Sequence, residues 1–157
     1  MWGSGLPIHE WNSRWAFKLD TPEAALDYLR LFCGMIAGDD GAFVLFERED
    51  ELLPAADMLA EVLERVRSMA YPTRLLAETP DSDGRWWGKA VMKYGGAIFE
   101  CNFDIHVEGL VQARDGMRLV RGLPLLAETF KGGLRSLHAF EAEGGIQFQE
   151  TQEATGE

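Results

Sequence analysis

The sequence predicts an α+β domain, two helices packed on one face of a twisted antiparallel sheet. Three observations carry this. Residues 20–38 hold apolar positions at helical spacing behind a capping signal, and residues 85–108 form two alternating runs around Gly95-Gly96. The chain has 157 residues, 46% of them hydrophobic, which suffices for one core without a metal or disulfide. The expected organisation is a Trp-rich arm over 1–19, a single domain over 20–150 and a disordered tail over 151–157.

The arm holds Trp2, Trp11, Trp15 and Phe17 among Gly3, Gly5 and Pro7, and reads as irregular. Burying each indole stabilises by about 2–3 kcal/mol, so the rings are expected to dock, first of all on the domain's own body. Asp20-Thr21-Pro22-Glu23 then opens a helix: Thr21 caps, Pro22 suits the first position and Glu23 meets the positive helix end. Leu26, Leu29, Cys33 and Ile36 line one side, and Gly38 is expected to close the helix in a left-handed conformation. Ala42 to Phe46 reads as a buried strand. A second helix is expected from near Pro54, with Met58, Val62, Val66 and Met69 as its apolar side and Glu61 paired with Arg65 outside. It stops before Tyr71-Pro72, because a residue preceding proline avoids helical angles. Residues 77–84 read as a polar loop.

Gly95-Gly96 is a two-residue hairpin signal between Arg85–Tyr94 and Ala97–Glu108. That turn pairs Met92 with Phe99, Ala90 with Cys101, Gly88 with Phe103 and Trp86 with Ile105. The opposite face then pairs Val91 with Glu100, Lys89 with Asn102, Trp87 with Asp104 and Arg85 with His106. A slip of one residue would scramble both faces, so pattern and turn support each other. Asp115-Gly116 suggests a second tight turn pairing Val111 with Val120, with Gly109 as a bend. Residues 122–133 suggest a short helical turn and a loop. Leu134–Ala142 and Ile146–Gln149 suggest a last hairpin around Glu143-Gly144-Gly145. The element order is broadly similar to the cone-shaped nuclear-transport-factor-like and cystatin-like folds. That likeness is one of architecture, and such folds serve enzymes, binders and dimerisation modules alike.

With 15 Lys+Arg against 26 Asp+Glu, the net charge is −11, which disfavours nucleic acid and anionic membranes. The first ten residues lack a basic leader segment, and the longest apolar stretch, Leu31–Ala37, is far short of a membrane span. Cys33 and Cys101 share no metal-type spacing and read as buried small hydrophobes. A cytoplasmic protein without a cofactor or metal is expected.

The charged strand face offers Glu100, Asn102, Asp104, His106 and Glu108 in a row, about 7 Å apart at every second residue. Asp104 and His106 could form an acid–base pair, as in a small-molecule lyase or isomerase. Arg85, Lys89 and Lys93 share that face, which favours a solvated or subunit-contacting surface over a metal site. Trp87, Val91 and Ile98 sit apolar within it and, with Trp2, Trp11 and Trp15 of the arm, are the expected interface of a homodimer. The helix-facing side, including Trp86, Tyr94 and Phe103, would line any pocket for a small apolar ligand. Arg114, Arg118 and Arg121 could receive an acidic partner or anionic ligand. The expected function is a non-catalytic binding or assembly module.

Overall fold

The structure, a computed structural model, describes residues 6–38, 40–47, 60–123, 125–131, 134–140 and 147–148. Its elements are α1 (Leu6–Trp15), α2 (Pro22–Met35), β1 (Ala37–Gly38), β2 (Gly41–Ala42), β3 (Val44–Leu45), α3 (Ala60–Met69), β4 (Arg74–Leu75), β5 (Arg85–Tyr94), β6 (Ala97–His106), β7 (Val111–Arg121), β8 (Leu125–Lys131), β9 (Leu134–Phe140) and β10 (Gln147–Phe148). The class is α+β with antiparallel sheets. The main sheet has six strands in the order β10-β7-β6-β5-β3, and β4 pairs β5 as well. β3 and β4 share the outer edge of β5, at Met92–Lys93 and Gly88–Lys89 respectively. β1–β2 and β8–β9 form separate two-stranded pairs.

The hairpin β5–β6 has the expected register throughout, from Arg85↔His106 to Tyr94↔Ala97. Gly95 takes φ 54° at its turn, a conformation that glycine adopts without the penalty other residues meet. Alternation then sends Trp86, Ala90 and Met92 to one face with Cys101, Phe103 and Ile105. There they meet Ala25, Tyr28, Leu29, Phe32 and Cys33 of α2 and Ile8 of α1. The α2 cap is as expected: Thr21 Oγ1 accepts from the Ala24 amide at 3.2 Å and Pro22 follows it.

α3 lies on the other face. Val66 packs with Phe46, Val91, Ile98, Val120 and Leu123 in a second core, flanked by Met69, Ala70 and Tyr71. The two expected helices therefore sandwich the sheet instead of sharing a side. The alternation showed two usable faces, but nothing in the spacing said which helix would take which.

Several boundaries differ from the sequence reading. Residues 6–15 are helical rather than irregular, with Pro7 in the first turn where its missing N–H is harmless. α2 ends at Met35, where Ile36 turns extended, so Gly38 is not its cap. Gly38 instead lies in β1 beneath the Tyr94 ring, where an added Cβ would come within 2.2 Å of Oη. The stretch Ala42–Phe46 is broken into the short β2 and β3.

Asp115-Gly116 is not a turn. β7 continues through it, and the reversal falls at 107–110, where Gly109 takes φ 83° and its amide donates to the His106 carbonyl at 2.7 Å. The register slips between Cys101 and Phe103, which face Gly116 and Ala113, so Arg114-Asp115 is a bulge. Residues 125–131 are a strand, not a helical turn, and β9 pairs with β8 while β10 joins β7. Among the described residues the expected last hairpin does not pair these two segments with each other. Trp2, Pro54, Met58 and residues 151–157 lie outside the described residues, as does the side chain of Val62 and the Glu61 partner expected for Arg65.

Candidate functional site

The face of the sheet that carries α3 divides along its strands. At the hairpin end, Val91 and Ile98 are sealed under Val66. At the far end the same strands present charge. Asp104, whose side chain is 5% exposed, receives Arg85 Nη1 and Arg114 Nη2 on a single oxygen, Oδ2, each at 2.6 Å. Gln112 is the direct partner of Asp104, and Arg114, two residues further along β7, shares its face as a diagonal neighbour. The arginine side chains remain 38% and 42% exposed. Both bonds are monodentate, and Arg85 Nε is buried without an acceptor among the described residues.

A second charged group lies between the ends. Lys89 Nζ meets Glu100 Oε1 at 2.6 Å and the Tyr71 hydroxyl donates to Glu100 Oε2 at 2.9 Å. Arg74 stands over the Tyr71 ring, 5.0 Å from its centroid. The Lys89 hydrogen bond, with help from Tyr71, holds the Glu100 carboxyl below its ordinary value, while burial and then Glu100 push the Tyr71 hydroxyl up. Lys93 is buried at the apolar end, and desolvation depresses its amine to about 8.

The residues expected as an acid–base pair are not joined. Among the described residues no hydrogen bond links Asp104 to His106, and Asp104 is committed to two guanidinium groups. His106 Nδ1 accepts from the Glu108 amide at 3.2 Å instead. Among the described residues no three His, Cys, Asp or Glu side chains gather to hold a metal.

The expected interface residues are scattered. Val91 and Ile98 belong to the second core and leave the outward face, because α3 covers them. Trp87 stays 40% exposed, its indole N–H donating to Asp81 Oδ2 at 2.9 Å. Trp11 and Trp15 are 49% and 66% exposed and meet each other at 6.3 Å between centroids. Phe17 joins Trp11 at 5.6 Å. The docking expected of these rings is made instead by the opposite side of α1. Ile8 enters the core, His9 stacks on Phe32 at 5.0 Å, and Asn12 donates to the Glu108 carbonyl. His9 Nδ1 and the Tyr28 hydroxyl both donate to the Gly109 carbonyl, at 3.2 and 2.9 Å. Gly109 is required here, since an added Cβ would fall 1.9 Å from Asn12 Nδ2. The helix is pinned by backbone contacts while its aromatic side faces water.

Trp86 and Phe103 are core side chains, the Trp86 N–H donating to the Leu19 carbonyl at 2.8 Å. Tyr94 lies eight residues along the strand from Trp86, roughly 26 Å away. It stacks on Phe43 at 4.4 Å, so these three residues do not line one pocket. Arg114 is likewise separated from Arg118, whose strand partner Phe99 belongs to the α2 side. Cys33 and Cys101 are unbridged and buried, and burial pushes their thiols up to about 12 and about 11.

Sequence reasoning missed Asn12, Tyr28 and Tyr71 as organising groups, and Arg85 with Arg114 as a pair. Only the last had a signal, the placement of Arg85 beside Asp104 in the hairpin register. Among the described residues, no helix is long and apolar enough to cross a membrane. Comparison with protein-family models, with curated proteins and with solved structures finds no match to this chain.

Proposed function

We propose that the chain is a non-catalytic binding or assembly module that forms a homodimer through the aromatic side of α1, with the charged end of the sheet contributing. The observation that carries this reading is the cluster Trp11, Trp15 and Phe17, three large rings held together and left half in water. Exposed aromatic groups on a rigid, well-anchored helix are the usual anchors of a protein interface. Trp87 extends the apolar supply on the outward face of the sheet. The ion pairs of Asp104 and Glu100 suit a polar rim, not a reaction centre. Buried, unbridged thiols support placement in a reducing compartment such as the cytoplasm.

Light scattering across a concentration series tests the reading. The expected mass is twice the 17.6 kDa of one chain, falling toward the monomer on dilution. A monomer at every concentration would overturn it.

A further inference from the structure

We propose that Arg85 and Arg114 form a binding site for a small oxyanion, the phosphate or carboxylate group of a small molecule. Two guanidinium groups converge on one oxygen of a buried carboxylate, each spending a single N–H on it. A guanidinium carries five N–H donors in a planar fork, so most of the donor capacity of the pair remains unspent. Asp104 thus works as an organiser: it fixes both forks from below while their outer edges, about two-fifths exposed, face solvent. Such prior ordering is what lowers the entropic penalty of capturing a ligand.

The local charge agrees. Arg74, Arg85, Lys89 and Arg114 share this strip with Glu100 and Asp104, and Asp81, which accepts from the Arg85 amide and the Trp87 indole, borders it, leaving a surplus of one positive charge in a chain of net −11. With only one N–H of each arginine spent on Asp104, an oxyanion would engage the remaining donors in charge-assisted hydrogen bonds. His106, directly across from Arg85, and Trp87, directly across from Asp104, border the pair. The pair lies at the charged end that the dimer reading uses as a rim, but the site rests on the Arg85–Asp104–Arg114 geometry alone, so a monomeric chain would bind the oxyanion as well and the two tests fail separately.

The test is an NMR titration of the whole chain with inorganic phosphate and, separately, with acetate, at ionic strength held constant with chloride. The expected result is a saturable shift of the Arg85, Arg114 and Trp87 side-chain N–H signals. Arg114→Gln weakens the affinity about tenfold, while Arg30→Gln, on α2 across the sheet, leaves it unchanged. Should the glutamine variant not fold, Arg114→Lys keeps a charge beside Asp104 but lacks the fork, and it weakens binding too. Saturation by either probe supports the site, and the tighter one assigns phosphate or carboxylate. Saturation by neither, or affinity untouched by both Arg114 variants, would overturn it.

Discussion

The even-numbered side chains of β5 face α2, and the odd-numbered ones face α3, so one strand serves two unlike surfaces. On the α2 side Trp86, Ala90, Phe103 and Ile105 close with Leu29 and Ala25 into a continuous apolar layer. On the α3 side Val91 and Ile98 are sealed, but Asp104, Arg85 and Arg114 begin only a few residues further along. The first face holds the fold together. The second stops burying apolar surface partway and leaves organised charge at the solvent boundary. The difference teaches that helix coverage, not strand pattern alone, decides which part of a sheet remains available for binding.

The largest expected effect falls on the sealed face. Trp86→Ala removes a buried ring and its hydrogen bond to Leu19, and lowers unfolding free energy by about 3–5 kcal/mol in a urea titration. Asp104→Asn probes the charged half. It leaves two guanidinium groups without their counter-charge, and because both are partly exposed the loss is about 2 kcal/mol, below that of a fully buried pair. A smaller loss for Trp86→Ala than for Asp104→Asn would break the contrast between the faces.

A third prediction sets the faces against each other through pH. Lys93, on the α3 side, titrates near 8 when folded against 10.5 ordinarily, so the unfolded chain binds more protons between these values and stability rises with pH there. Cys33 and Cys101, on the α2 side, have folded values raised above 9.0. Their contribution is fully present below pH 9 and is lost as pH climbs toward 11–12. Stability measured by urea is expected to rise from pH 8, turn over near 9 and fall above it, because two thiols then outweigh one amine. In a Cys33→Ala/Cys101→Ala variant the rise continues to about pH 10.5, whereas Lys93→Met abolishes it. A slope unaffected by either change would remove the assignment.

The contrast also explains what was legible in the sequence. The register of β5 and β6 was readable because Gly95-Gly96 and two alternating runs constrain each other. The α2 start was readable because Thr21-Pro22-Glu23 acts locally. The position of α3 was not, since its apolar stripe would fit either face. α1 was obscured by glycine and proline near its start, and its anchoring depends on the carbonyls of Glu108 and Gly109, about 100 residues away. Asp115-Gly116 misled because a glycine opposite Cys101 serves a bulge as well as a turn. Of the site, the cross-strand pairing of Arg85 with His106 and Trp87 with Asp104 was visible. The convergence of Arg114 on Asp104 was not, because reading Asp115-Gly116 as a turn kept that part of β7 from pairing with β6.

The smallest effect on monomer stability, and the largest on function, is expected at the aromatic side of α1. Because Trp11 and Trp15 are about half or more exposed, replacing both with serine should change unfolding free energy by about 1 kcal/mol or less. Sedimentation equilibrium of the wild-type chain beside Trp11→Ser/Trp15→Ser tests the assembly reading most directly. The account predicts a dimer for the wild type and a folded monomer for the variant. A wild-type monomer, or a variant that dimerises as tightly as the wild type, would contradict it.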